Sequence, residues 1–184
     1  MTKIPYRAEI TGDLRYKYRR KLRAKSDDPS TWSIYEQALS VLKTSQSWPY
    51  PYDFLMCMCD GTFTLADQDH CVDKETGQID AQAYGRAVAL NSWTERSWSD
   101  DGLHTLALGT VPRGRKGKQL ELYSERRPVV FTGKHLVGTP AQLEPAQQAL
   151  DALYAEVFPG PVYECPPQSG TCSIWPIGQV MMQM

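Results

Sequence analysis

The chain has 184 residues, 41% hydrophobic and 22% charged, with 13 Gly and 13 Pro, a composition of roughly one globular domain that excludes disorder, coiled coil and collagen. At this length folding hides about 70% of the extended surface, enough for a core without disulfides or a structural metal. The net charge of −1 is unevenly spread: residues 1–25 carry nine basic and two acidic side chains, so the other 159 residues sum to −8, partly at Asp60, Asp67, Asp69, Asp73, Glu75 and Asp80. A polyanion could dock on the first region and a cation could sit in the second; a solvated arm beside a solvated acidic face is the plain alternative.

No apolar run approaches the roughly 18 residues of a membrane span, and the N-terminus lacks the apolar core of a signal peptide, so a cytoplasmic location without a membrane partner is expected. Cysteines 57, 59, 71, 165 and 172 are odd in number and form no CxxC pair, which suits a reducing compartment. His70, Cys71, Cys165 and Cys172 have the atom types of a zinc site but not its paired spacing; buried or surface thiols are the alternative.

In chain order, residues 3–6 read as a short strand before a turn at Thr11-Gly12 and the basic stretch. Asp28-Pro29-Ser30-Thr31-Trp32 leads into a helix ending near Ser45, with Ser33 and Glu36 spaced as a capping box and Ile34, Ala38, Leu39 and Leu42 at helical intervals. Trp48-Pro49-Tyr50-Pro51 reads as a loop. Residues 53–59 and 62–67 read as a hairpin around Asp60-Gly61. Ile79 to Asn91 is helical in pattern. Leu103 to Gly109, Gln119 to Tyr123 and Val129 to Thr132 read as strands, joined by a basic loop from Pro112 to Lys118 and a tight turn at Glu125-Arg126. A last helix is expected near Pro145, burying Ala146, Leu150, Leu153, Tyr154 and Val157. Residues 161–184 show no period and read as an irregular tail beyond a domain of residues 1–160.

Asp67-Gln68-Asp69 carries the first chemical signal. Two carboxylates on one strand face, about 6.6 to 7 Å apart, can converge on a hard divalent cation. Glu121 faces away from Leu120 and Leu122 and would complete a triad if its strand neighbours the first; acids in solvent or paired with local arginines are the alternative. His104 follows Asp100-Asp101-Gly102 and shares a strand face with Leu106 and Leu108. It is either a structural histidine or a phosphate ligand, as Arg113, Arg115, Lys116, Lys118 and Arg126-Arg127 could also be.

The ordered series Asp-Pro-Ser-Thr-Trp (28–32), Asp-Gln-Asp-His-Cys-Val-Asp (67–73), Ser-Asp-Asp-Gly-Leu-His (99–104), Leu-Glu-Leu-Tyr-Ser (120–124) and Val-Phe-Thr-Gly (130–133) resembles the primase-polymerase domain of phage and plasmid replication proteins, in the archaeo-eukaryotic primase superfamily. The resemblance covers about residues 3–158. It implies an α+β fold, with an N-terminal α/β unit and a C-terminal RRM-like unit around a cleft. It also implies a template-directed nucleotidyltransferase making or extending DNA or RNA primers. Asp67, Asp69 and Glu121 would bind catalytic Mg²⁺ or Mn²⁺; Ser99, His104, Arg127 and Thr132 would bind the NTP or dNTP. Arg15, Lys17, Arg19, Arg20, Lys21 and Arg23, with Arg113, Arg115 and Lys116, would hold single-stranded DNA template by its phosphates. Asp100-Asp101 stand where the family commonly has a second glycine before its G-x-H element, and Arg126 where its turn often has one. The family domain is often fused to a helicase; no GxxxxGK[ST] loop occurs in this sequence, so a helicase partner would act in trans or lie outside it. A metal-dependent nuclease using the same acids and a non-catalytic nucleic-acid-binding module are the alternatives.

Overall fold

The computed structural model describes residues 5–6, 23–47, 52–159 and 179–183, the side chains of 5–6 and 179–183 excepted. Among them are three α-helices and eight strands: a mixed α+β fold with antiparallel ladders. The chain divides into two compact units. The first comprises Met1–Asp60, Arg126–Thr132 and Gly178–Met184, and the second Gly61–Glu125 and Gly133–Ile177.

In the first unit, β1 (Pro5–Tyr6) and β2 (Ser33–Ile34) both pair with β8 (Gln179–Gln183), which also pairs with residues 54–57 of β3 (Phe54–Gln68). The reading of 161–184 as irregular is therefore corrected at 179–183. Its Val-Met-Met core lacks the polar alternation that marks a half-buried strand. The helix after Trp32, α1 (Tyr35–Ser45), starts without a side-chain cap, since Ile34 is its N-cap residue, so the expected capping box of Ser33 and Glu36 does not form. The capping chemistry sits earlier, in a 3-10 turn at Pro29–Thr31. Asp28 Oδ1 accepts the Ser30 N–H at 3.2 Å and its hydroxyl at 2.6 Å, the Lys25 N–H donates to Thr31 Oγ1 at 2.9 Å, and Trp32 Nε1 donates to the Lys25 carbonyl at 2.6 Å. Asp-Pro-Ser-Thr-Trp thus closes a loop on itself. Ala24, Phe54, Met56, Met58 and Val130 form this unit's core.

β3 replaces the expected hairpin. Its two halves have different partners, β8 for residues 54–57 and β5 (Leu103–Leu108) for residues 63–68. Gly61, with φ +94°, lets the strand run on through a kink instead of turning back. Burial on both faces of 63–66 suits a central strand. β7 (Leu120–Phe131) likewise runs through the expected turn, Arg126 taking φ +55° within it.

In the second unit β5 lies between β3 and β4 (Trp93–Arg96), while β7 pairs with β3 and with the short β6 (Arg115–Lys116). Asp80 caps α2 (Ala81–Leu90) by accepting from the Gln82 and Ala83 N–H groups at 3.0 Å, and Asn91, left-handed at φ 44°, closes it. α3 (Gln147–Val157) starts two residues after Pro145. It buries Leu150, Leu153 and Tyr154 with Ala66, Leu90, Ala107, Val111, Leu120 and Leu122. Thr64 Oγ1 donates to the Gly109 carbonyl at 2.8 Å and meets Ser124 Oγ at 2.8 Å, and Ser124 Oγ accepts the Val111 N–H at 2.8 Å, a buried polar chain tying β3 to β7.

Candidate functional site

The antiparallel registers put three ionisable side chains in one row across the second unit. Asp67 on β3 pairs with His104 on β5, and His104 pairs with Glu95 on β4. His104 Nε2 lies 3.6 Å from Asp67 Oδ1, and its Nδ1 3.5 Å from Glu95 Oε1. His104 is buried, Asp67 nearly so, and the Glu95 side chain is only 1% exposed. Glu95 Oε2 accepts the Gly133 N–H at 2.9 Å and Trp93 Nε1–H at 3.4 Å. The expectation of His104 beside Leu106 on a strand face holds, but the neighbours that matter lie across the strands.

Sequence reasoning missed Glu95, because Trp93-Thr94-Glu95-Arg96 gives no clean alternation. The available signal was its placement between a helix and the G-x-H strand, where a hairpin partner belongs. β4 and β5 are joined by a turn built on Ser97. The Ser97 N–H donates to the Gly102 carbonyl at 2.9 Å, and Ser97 Oγ accepts the Gly102 N–H at 3.1 Å. A Cβ on Gly102 would stand 2.6 Å from the Gln68 carbonyl oxygen, so glycine is required there for β5 to start tightly against the end of β3.

Asp69 follows β3 directly, and its N–H donates to the Gln119 carbonyl at 3.1 Å, so the start of β7 is fastened beside it. β3 and β7 are neighbours, as the triad reading requires. Glu121 is buried, and its Oε1 accepts from the Lys116 ammonium, its register partner on β6. Hydrogen bonding to Glu121 and its charge, with a further contribution from Asp69, hold Lys116 above the ordinary lysine range. The oxygens of Asp67, Asp69 and Glu121 suit a hard divalent cation, and an ammonium already sits on one of them. Among the described residues no group of three or more His, Cys, Asp or Glu side chains is drawn together to hold a metal. Binding there would need Lys116, whose side chain is 68% exposed, to leave Glu121.

Ser99 lies in the turn before β5. Its hydroxyl donates to Asp101 and meets Ser97 Oγ at 3.1 Å, while Asp101 also holds His70 Nδ1 at 3.1 Å and Lys74 at 3.3 Å. Arg127 on β7 and Thr132 just past its end belong to the first unit, both half-buried. Arg15, Lys17, Arg19, Arg20 and Lys21 lie outside the described residues; Arg23 and Arg113 are exposed. Arg115 stacks its guanidinium 5.9 Å from the Tyr154 ring and 5.6 Å from that of Phe158, anchoring β6 on α3. Of the zinc candidates, Cys165 and Cys172 lie outside the described residues. Cys71 Sγ donates to the Gln68 carbonyl at 3.2 Å, and burial pushes this thiol up to about 11.

No protein-family model matches the sequence, and no curated protein matches it at a significant level. The functional argument therefore rests on the residues. Among those described, no helix is long and apolar enough to cross a membrane.

Proposed function

We propose that the chain is a template-directed nucleotidyltransferase of the primase-polymerase kind, its two units corresponding to the α/β and RRM-like parts of that architecture. The observation that carries this reading is the pairing of Asp67 with His104 across β3 and β5, which joins the D-x-D element to the G-x-H element with Asp69 and the β7 start beside them. The two places where the family often has glycine and this chain does not also support it: Asp100 and Arg126 have φ of 62° and 55°, backbone that glycine adopts freely and other residues seldom do.

In this reading Asp67, Asp69 and Glu121 hold divalent ions, which when bound would activate the primer 3′-hydroxyl and stabilise charge on the phosphates. His104 Nε2 would donate to a triphosphate oxygen, with Ser99, from the turn before the same strand, as a second nucleotide contact. The N-terminal basic residues and Arg113 would hold template phosphates without reading sequence. Isothermal titration of Mn²⁺ with and without dNTP, together with an incorporation assay on unprimed single-stranded template, tests it. Coupled binding and labelled product are expected; uncoupled binding without product would refute it.

One observation favours a second reading, a metal-dependent nuclease. Lys116 stands on Glu121 within the field of Asp69, and so supplies in space the lysine that nucleases place beside their metal-binding acids. Cleavage of single-stranded DNA with Mn²⁺ and no nucleotide, abolished by Lys116→Ala, would select it.

A further inference from the structure

The turn between β4 and β5 presents an aromatic ring to solvent on a built support. Trp98 is 43% exposed, whereas Ser97 before it is buried. Ser97 fixes the turn from inside: its N–H donates to the Gly102 carbonyl at 2.9 Å, its Oγ accepts the Gly102 N–H at 3.1 Å, and its carbonyl accepts the Asp100 N–H at 3.1 Å. The Lys134 ammonium lies over the indole, 6.0 Å from the ring centroid, and donates to Asp100 Oδ1 and Oδ2 at 2.7 and 3.0 Å. The Lys134 carbonyl in turn accepts the Arg96 N–H at 2.9 Å. The ring is thus placed twice, by the turn that carries it and by the cation over it.

An exposed apolar side chain signals nothing by itself, since such residues occur singly on any surface. Two further features give this one a ligand. It adjoins Ser99, the second nucleotide contact of the proposed site. The cations around it are also already matched by acids of the same turn, Lys134 by Asp100, and Lys74 and His70 by Asp101. A phosphate that took one of these cations would lie against the carboxylate it displaced, so the turn is ill suited to hold a nucleic-acid backbone. What it offers instead is an uncharged π-face, and the part of a nucleic acid that matches such a face is a base. We infer that Trp98 is a stacking platform for one unpaired base of a single-stranded nucleic acid, with Lys134 and Asp100 holding the ring in place. Every base has a π-face, so the platform is indifferent to sequence, and it adds a base contact to the phosphate contacts assigned to the basic residues.

The choice of ligand rests on the nucleotidyltransferase reading through Ser99, but the stacking can be measured without it. Binding of a labelled oligothymidylate of about 12 nucleotides and of an abasic strand of the same length, in the absence of divalent cations, separates base from phosphate. Trp98→Leu removes the ring and keeps an apolar side chain; it should weaken the oligothymidylate about 5- to 30-fold and leave the abasic strand unchanged. The loss should be the same at about 50 and about 200 mM salt, because a stacking contact releases no counterion. Trp98→Phe should recover most of it. Both variants should melt within about 2 °C of the wild type, as suits an exposed side chain. Oligothymidylate binding untouched by Trp98→Leu would overturn the inference, as would an equal loss on the abasic strand, a loss that fades with salt, or a wild type that binds neither strand. If the stacking effect is found but the wild type incorporates no nucleotide, the nucleotidyltransferase reading falls and the platform stands; incorporation without a Trp98 effect removes the platform alone.

Discussion

Two groups of carboxylates in the second unit handle negative charge in opposite ways. Asp67 and Glu95 lie on strands flanking His104, largely out of water, and the registers of three strands set their spacing. Asp100 and Asp101 lie in the turn between β4 and β5, satisfied by exposed partners: Lys134 at 2.7 Å from Asp100, and Lys74 and His70 around Asp101. The strand acids cannot relax toward a new partner, so their geometry survives whatever binds; the turn acids can exchange theirs for water at little cost. An acid's place in the sheet thus separates a built site from a solvated cluster better than its place in a motif. Substitutions on either side put that contrast to the test.

The largest effect is expected from Asp67→Ala combined with Asp69→Ala, which should reduce nucleotide incorporation by at least about 10³-fold, equivalent to roughly 4 kcal/mol of transition-state stabilisation. Asp100→Asn should change it by less than about 2-fold, as suits an exposed ion pair. Equal effects of the two changes in a primer-extension assay would erase the distinction.

Next comes His104→Ala. It leaves buried Glu95 and largely buried Asp67 facing each other across a void, so a stability loss of about 2–4 kcal/mol is expected, which at this chain length is roughly 5–15 °C in melting temperature. His104→Gln keeps the volume and a donor and should recover at least half of that loss in the same melt. A phosphate ligand standing in open solvent would show neither effect.

The contrast also explains what could be read from sequence. Asp67, Asp69 and Glu121 stood out because period-two alternation puts acids on a defined strand face; β3 and β7 are neighbours, yet among the described residues no three such side chains are drawn together to hold a metal. Lys116 on Glu121 was not, since a two-strand pairing inside a Gly- and Arg-rich loop leaves no periodic trace. The turns expected at Asp60-Gly61 and Glu125-Arg126 failed for one reason: local turn chemistry at Gly61 and at positive-φ Arg126 was absorbed as irregularity inside long strands whose partners lie far off in sequence. β8 was invisible for the same cause, because its pairing, not its composition, makes it a strand. α2 was legible from its helical pattern, expected over Ile79 to Asn91 and found at Ala81–Leu90, and the start lies two residues later because Asp80 is its cap and not part of the helix.

Lys116→Met gives a smaller, diagnostic effect. It removes the ammonium from Glu121 and keeps most of the aliphatic stem, so a divalent cation no longer competes for that carboxylate. Mn²⁺ should bind about 5-fold tighter, roughly 1 kcal/mol, by titration calorimetry. Without metal the variant should melt below the wild type, because Glu121 is buried, and Mn²⁺ should restore the difference. Unchanged Mn²⁺ affinity would separate Glu121 from any metal site.

The smallest effect belongs to the turn. The Asp101 carboxyl is held below its ordinary value of 3.8, first by the Ser99 hydroxyl and then by Lys74 and His70, with burial opposing them. A depressed folded-state value means that the ionised carboxylate stabilises the fold, in full at pH values above 3.8, where both states are ionised. As pH falls below that point the unfolded chain takes up its proton first, and the contribution shrinks until the folded carboxyl is protonated too. Asp101→Asn should therefore lower the melting temperature at pH 7 by about 1–3 °C, and the gap from wild type should narrow as pH is lowered toward 3 in parallel melts. The same titration of Asp100→Asn should show a smaller gap at every pH, since Asp100 has mainly the exposed Lys134 for company. A gap at Asp101 that widens on acidification would mean that the turn is held by its backbone bonds, Ser97 to Gly102 and Val72 to the Asp101 carbonyl, and that its carboxylates are bystanders.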